Sequence, residues 1–405
     1  MLTLSTSPGI QAAVYTSFAD CSISPDDWDH YVEQRGGPVY FTYDWMRLWW
    51  QFYGRGRELR IFALTCDDQT VGILPIFIET FRLGVLNVRV ARLVGSGTPA
   101  RVLNPPVFPQ HSDAVFRHVI RLLLTTEKVD LISLGLISED WSAKDLLASP
   151  AEGQAGPRYK SNWTPSDVLT LFTLPSTFDE YVQALPKKER QTRKEKVRQL
   201  IRHAEVSMDI VDDRHQLAGE FERFLEQHTA QWRAEGFGGH FVAWPSGVEF
   251  HRALVSSPRT GPRALFVRLN AGGVPIANRY VYRMGNRLFS ELPSRVVGPE
   301  WDRLGLGTTS YFKFIEAAIG NGITEINSGL GQYEYKVRLG GRQIPAGVWR
   351  IVSDESGAQF RARTLLRLSR LVKLAFHKIY YRRIVPQLPR QFSRTQQMFW
   401  LRYDV

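Results

Sequence analysis

The stretch Asp302-Arg303-Leu304-Gly305-Leu306-Gly307-Thr308-Thr309-Ser310 follows a β-rich segment and opens an apolar-periodic helix. Two glycines one residue apart let the backbone approach a ligand with no Cβ in the way. The free N–H groups of the first helical turn then point at that ligand, and the helix dipole favours an anion there. This suits a diphosphate and makes Arg303, Gly305, Gly307 and Thr308 the expected cofactor-binding residues. A plain helix-capping turn has the same composition, so the reading depends on the flanking sequence.

Working outward, the chain repeats one order of elements. In the first half, a Trp-rich helix (Tyr43–Tyr53) precedes a strand at 59–65, the polar turn 66–70 and a strand at 71–79. In the second half, a helix around 249–255 precedes a strand at 263–269, the turn Asn270-Ala271-Gly272-Gly273 and a strand at 274–283. Polar and glycine turns between apolar runs are hairpin signals. The hairpins align at one offset, with Phe62 on Leu265, Leu64 on Val267, Val71 on Val274 and Ile73 on Ile276. A helix at 112–126 then leads to a strand at 129–135, as a helix at 307–319 leads to a strand at 323–329. The copies differ before that helix. Where the second has Gly305 and Gly307, the first has Leu103-Asn104-Pro105-Pro106-Val107-Phe108-Pro109, whose prolines lack N–H donors. A cofactor site therefore belongs to the second half, and the first acts as a partner domain.

The expected division is 1–165, 166–350 and a basic tail at 351–405, with a linker around 151–164. The fold class is α/β (α+β), two mixed-sheet domains flanked by helices. The 405 residues carry 51 Lys+Arg against 40 Asp+Glu, a net +11 that favours anionic partners. The two cysteines, Cys21 and Cys66, are too few for a disulfide framework or a metal-ligand pattern. The opening Met1-Leu2-Thr3-Leu4-Ser5 has no basic segment before an apolar core, and the apolar run 71–78 is interrupted by Gly72 and Pro75. The chain accordingly reads as cytoplasmic. No P-loop, zinc motif or Gly-x-Ser-x-Gly elbow occurs, and no metal is expected.

In their order, several segments resemble the GNAT acyltransferase superfamily over roughly residues 35–345, and its duplicated, FemAB-like form, including the cellulose-biosynthesis (CelD-type) acetyltransferases. They are Tyr43-Asp44-Trp45-Met46-Arg47-Leu48-Trp49-Trp50, Val71-Gly72-Ile73-Leu74-Pro75, the basic segment 187–202, Gly305-Leu306-Gly307, and Ser328-Gly329-Leu330-Gly331-Gln332-Tyr333-Glu334-Tyr335-Lys336. Two positions depart from the pattern: Asp302 stands where the superfamily often has Gln or Arg, and Asn327 where it often has an acid. The resemblance implies a duplicated GNAT-like fold and acyl transfer from acyl-CoA, acetyl-CoA first, to an amine or hydroxyl. Such a site needs a held diphosphate, a polarised thioester carbonyl and a route for the acceptor proton.

The catalytic candidates are Glu291, Tyr333, Glu334 and Lys336. Glu291 lies in the strand Leu288-Phe289-Ser290-Glu291-Leu292 and becomes a base if burial raises its pKa. Tyr333 can protonate a thiolate, Glu334 can act as base, and Lys336 can neutralise a phosphate or an oxyanion. The alternative is a loop whose tyrosines pack and whose charges face water. His228, Trp232 and Arg233 fall on a helix at 216–235, His228 and Trp232 sharing a face, and are candidates to stack on a sugar or adenine. The segment 187–202 is either an arm for an anionic acceptor or the phosphates of CoA, or a solvated helix with internal ion pairs. The tail 360–383 places Leu365, Leu368, Val372, Ala375, Phe376 and Ile379 at helical spacing among eight Lys or Arg. It either packs on the domain or lies on an anionic membrane.

The leading expectation is an acyltransferase acting on a sugar or polysaccharide precursor in exopolysaccharide or cell-envelope synthesis. The alternatives are an aminoacyl-tRNA-dependent FemAB-like transferase and a non-enzymatic accessory protein of polysaccharide synthesis.

Overall fold

Both expected hairpins are present in the computed structural model, which describes residues 2–7, 10–97, 101–108, 110–141, 157–236, 239–244, 246–260, 263–375, 379 and 383. By compactness the chain divides into one unit of 1–166 with 345–405, and a second of 167–344.

In the first unit the chain runs through β1 (Leu2–Ser7), β2 (Ile10–Tyr15), α1 (Pro25–Gln34), α2 (Tyr43–Tyr53), β3 (Glu58–Cys66), β4 (Gln69–Leu83), β5 (Leu86–Leu93), α3 (Ser112–Thr125) and β6 (Leu131–Ser138). The α2 helix buries Trp45, Met46, Leu48 and Trp49 on one side, as its apolar spacing requires. Strands β2 to β5 are antiparallel neighbours, while β5 pairs parallel with β6 from Val90–Leu131 to Arg92–Ser133. The proline-rich segment before α3 is tied down by Tyr31 Oη donating to the Pro106 carbonyl at 2.6 Å and Asn104 donating to Ser138 at 2.7 Å.

Strand β7 (Tyr159–Thr173) begins in the first unit and ends in the second, which continues with α4 (Phe178–Ala184), α5 (Lys187–His203), β8 (Val206–Val211), α6 (Arg214–Ala234), α7 (His240–Ala243), α8 (Gly247–Ser256), β9 (Ala264–Ala271), β10 (Val274–Met284), β11 (Arg287–Arg295), α9 (Pro299–Arg303), α10 (Leu306–Gly320), β12 (Glu325–Leu330) and α11 (Glu334–Arg338). Its strands run in the order β7-β12-β11-β10-β9-β8. Strands β8 to β11 are antiparallel and β11 is parallel to β12, repeating the first unit's pattern. One face of this sheet packs on α4 and α10 through Leu265, Val267, Val281, Tyr311, Phe314 and Ile315. The last strand, β13 (Arg342–Ser353), passes into the first unit and pairs there with β6, and α12 (Ser356–Ala375) follows it.

The repeat differs from the sequence alignment in one detail. Cys66 pairs with Gln69 and Ala271 with Val274, so the two turns lie 205 residues apart, whereas the apolar residues align at 203. A slip of two residues keeps every side chain on its face of a strand, so apolar patterning alone does not detect it. The expected linker also changes character. Its first part, 151–156, lies outside the described residues, and from Tyr159 onward it is β7.

The tail packs rather than standing free. Ala358, Ala362, Leu365 and Ser369 of α12 are buried, Ala362 and Leu365 against Phe81, Val88, Val90 and Leu131, and Arg361 pairs with Asp130 at 2.6 Å. The outer face keeps Phe360, Leu371 and Leu374 exposed beside Arg363, Arg367 and Arg370. Phe376, Lys378 and Arg382 of the expected helix lie outside the described residues, as does Pro109. No helix among the described residues is long and apolar enough to cross a membrane.

Candidate functional site

The turn quoted at the outset is the start of α10. Gly305 caps it in the left-handed region, at φ 60° and ψ 41°, where a side chain is strained. The N–H groups of Gly305, Thr308 and Thr309 are spent on Asp302, Gly305 and Gly305 carbonyls, and the Thr309 hydroxyl closes the loop on the Leu304 carbonyl at 3.0 Å. Among the described residues, the N–H groups of Leu306 and Gly307 make no backbone bond.

Gly307 and Thr308 line a cleft of about 200 Å³ with Gln231, Arg279, Arg295 and Tyr335, and Phe314 and Val267 are among its apolar walls. Asp302, the acid that departs from the family pattern, is paired with Arg295 at 3.1 Å, and Arg295 also meets Glu235 at 3.4 Å. The acid beside the anion site is thus partly neutralised. Of the four expected cofactor residues, Gly307 and Thr308 line the cleft and Gly305 shapes its turn. Arg303 is exposed, its Nε donating to the Pro299 carbonyl at 3.2 Å while its own carbonyl accepts from Lys196.

The helix carrying Lys196, α5, is the basic segment, and it has the internal ion pairs that one of its two readings expects. It buries Leu200 in a cluster with Leu269, Ile276 and Leu306, and it makes internal pairs such as Arg193–Glu189 at 2.7 Å and Arg202–Glu195 at 3.0 Å.

Lys336 is buried on α11, its ammonium donating to the carbonyls of Ser328 at 2.8 Å and Leu330 at 3.3 Å. Burial, with the nearby charge of Arg279, pushes its pKa down to about 8. The Tyr333 ring lies over that ammonium at 4.8 Å and is 52% exposed. Tyr335 is the tyrosine that reaches the cleft, with its ring 5.9 Å from Tyr311. Burial raises the Tyr335 pKa, so the hydroxyl keeps its proton near neutrality.

The expected acids do not reach the cleft. Glu334 is solvent-exposed and 3.9 Å from Arg338. Glu291 is buried on the opposite face of the sheet, 3.6 Å from His251. The alternation of β11 explains this, with Leu288 and Ser290 on the α10 side and Glu291 on the α6–α8 side. A bulge follows, with Val281 paired to Ser290 and Tyr280 to Leu292, and it returns Pro293 to the cleft side. The residues of β11 that face the cleft side are therefore Ser290 and Pro293, not Glu291.

His228 and Trp232 of α6 also lie apart from the cleft. His228 is buried with Nδ1 3.0 Å from the Pro293 carbonyl and Nε2 3.4 Å from His240, and burial lowers its pKa to about 4. Trp232 packs edge-on to His240 at 5.1 Å, and Arg233 is exposed. Gln231, one residue earlier, is the α6 side chain that lines the cleft, and it accepts from the Arg295 amide at 3.0 Å.

Sequence reading missed Arg279, Ser290 and Tyr311. Arg279 Nη1 donates to Ser290 Oγ at 3.0 Å, and its guanidinium lies 4.5 Å from the Tyr311 ring centroid. The available signal was an arginine inside an otherwise apolar strand, Ile276-Ala277-Asn278-Arg279-Tyr280-Val281. Among the described residues no cluster of three potential metal ligands occurs.

Comparison with known proteins places this geometry. Residues 187–337 match the family model of an acetyltransferase (GNAT) domain, a span holding the whole cleft and every candidate residue. No curated protein matches the chain significantly. Among solved structures, FemX is similar with a TM-score of 0.58 at 10% identity, covering 84% of this chain and 98% of that one. A conserved protein of unknown function from Bacteroides thetaiotaomicron is similar with a TM-score of 0.52 at 12% identity, covering 82% and 99%. These likenesses concern the fold, and they support the mixed α/β, GNAT-like architecture expected from the sequence. The second unit thus carries a GNAT-type acetyltransferase domain, and the expected enzyme class, an acyltransferase, rests on it.

Proposed function

We propose that this protein transfers an acyl group from acyl-CoA, acetyl-CoA first, to an amine or hydroxyl of a sugar or polysaccharide precursor. The observation that carries this reading is the start of α10, where Gly307, whose amide makes no backbone bond among the described residues, lines a cleft shared with Thr308 and Tyr335. Helix amides with Thr308 and Arg295 beside them suit the CoA diphosphate. The acceptor's lone pair attacks the thioester carbonyl carbon, and the C–S bond breaks to release the CoA thiolate. Tyr335, protonated at neutral pH, gives its proton to that thiolate and recovers one from the acceptor. Lys336 acts here as a fixed positive charge rather than as a base, because its ammonium hydrogens are engaged by two carbonyls.

Exopolysaccharide or cell-envelope synthesis, the cellulose-biosynthesis branch of the family, a cytoplasmic location and peripheral contact with anionic membrane belong to this proposal. The exposed Phe360, Leu371 and Leu374 of α12, flanked by arginines, support the membrane contact. Vesicle flotation with and without residues 360–405 tests it, and equal flotation removes it.

Calorimetric titration with CoA and acetyl-CoA tests the donor. Binding by the wild type, lost in Gly305→Val/Gly307→Val, is the expected result. A folded wild type that binds neither sinks the acyl-CoA reading. It moves forward the tRNA-dependent transferase, for which the exposed cations of α5 speak, and then the accessory role. Salt-dependent tRNA binding separates those two.

A further inference from the structure

A buried pair of positive charges lies deeper in the second unit than the α10 start. Arg279 is 8% exposed yet lines the cleft. Among the described residues its side chain makes one hydrogen bond, to the Ser290 hydroxyl, and the ring centroids of Tyr311 and Phe314 lie 4.5 and 5.1 Å from its guanidinium carbon. Among the described residues no carboxylate contacts it, although a guanidinium offers five N–H donors in a fork that matches two oxygens. Lys336 is buried too, and among the described residues its hydrogen bonds go to carbonyl oxygens. Asp167, the acid that acts on it, makes no ion pair with it. The hydroxyls of Tyr311 and Ser328, side by side and buried, make no hydrogen bond of normal geometry within the described residues. Four elements (β10, α10, β12 and α11) thus bring together two cations and two buried hydroxyls, and among the described residues no carboxylate touches either cation. Buried charge is ordinarily paired.

The α10 amides do not serve this cluster. At the helical rise, Tyr311 and Phe314 lie roughly 7–12 Å along the axis from Leu306. A diphosphate held at the helix start leaves Arg279 for a second anion.

We propose that Arg279, with Lys336, Tyr311 and Ser328 around it, forms a subsite for a carboxylate on the acyl acceptor. This deepens the acyl-transfer reading and rests on it. The acceptor is then an acidic molecule, such as a uronic acid or an N-acylated amino acid, held by its carboxylate while its amine or hydroxyl faces the thioester. Planarity favours a carboxylate, because the Arg279 guanidinium, set against the neighbouring rings of Tyr311 and Phe314, is a flat fork.

The test is calorimetry on the full chain, with and without saturating CoA. The probes are glucuronate against glucuronamide, and N-acetylglycine against N-acetylglycinamide. We expect at least one acid to bind about tenfold or more tightly than its amide, and Arg279→Met to abolish that preference. Arg279→Lys, which keeps the charge and loses the fork, is expected to retain only part of it. Neither acid exceeding its amide, or a preference that survives Arg279→Met, overturns the proposal. Succinyl-CoA binding tenfold better than acetyl-CoA, with the gain lost in Arg279→Met, moves the carboxylate to the acyl chain and overturns the assignment to the acceptor. Carboxylate preference without any CoA binding leaves the subsite standing and sinks the acyl-CoA reading instead.

Thermal unfolding provides the second readout. Removing an unpaired buried cation is expected to leave the ligand-free Tm unchanged or raised in Arg279→Met. A clear fall in Tm, with acid preference intact, marks Arg279 as structural and overturns the proposal.

Discussion

The Lys336 ammonium is held in a place that disfavours its charge, and that has a measurable sign. The folded state sheds this proton at about 8, against 10.5 for an ordinary lysine. Between those values the unfolded chain holds more protons than the native one, so stability rises with pH across the window. Below about 8 the full cost of the buried charge is present. Relative to Lys336→Met, the wild type is expected to gain on the order of 1–3 kcal/mol between pH 8 and 10.5. Thermal unfolding of the two proteins as a function of pH checks this, and parallel curves refute it. Asp302 offers a second residue-scale expectation. Its carboxylate is exposed and paired with Arg295, so its repulsion of a bound diphosphate is screened. Asp302→Asn is expected to tighten CoA binding by less than about tenfold, with a gain that shrinks in high salt. An unchanged affinity at low salt removes Asp302 from the diphosphate's surroundings.

At the scale of the element, the two glycines of α10 have different tasks. Gly305 needs its left-handed backbone, so Gly305→Val is strained by about 1–2 kcal/mol, whereas Gly305→Asn keeps most of the stability. Gly307 has ordinary helical backbone, and a Cβ there meets only the Arg295 side chain at 3.7 Å. Gly307→Ala is therefore expected to fold with an unchanged Tm and still to lose about tenfold or more in CoA affinity, because the new methyl group enters the anion's space. Equal losses of stability in Gly305→Asn and Gly307→Ala contradict this division. The β11 bulge belongs to the same scale, since one extra residue after Ser290 is what returns Pro293 to the cleft side of the sheet.

For the whole molecule, α12 tests how the chain returns to its first unit. Leu365 is fully buried there, and Leu365→Ala is expected to cost about 2–4 kcal/mol. Leu371 is 64% exposed on the same helix, and Leu371→Ala is expected to stay within about 0.5 kcal/mol. Denaturant unfolding measures both, and equal effects contradict the observed orientation of α12. Neither substitution touches the second unit's cleft, so CoA affinity is expected to be unchanged in each.

Local pattern carried much of this protein's fold. Hairpin turns, helix periods and the Gly-x-Gly start are set by residues close together in sequence, so α2, α10 and the repeated order of elements were legible in it. Gly307, Thr308 and Lys336 were legible for the same reason, as short motifs beside element ends. Tertiary structure decided the rest, because those features depend on partners distant along the chain. β13 joins β6 across roughly two hundred residues, a slip of two residues between the hairpins leaves the apolar alternation intact, and a single bulge shifts the phase of β11 after Ser290. Arg279 looks in the sequence like a charged interruption of a strand. Only the packing of four elements around it shows a buried cation facing a cleft with no acid beside it.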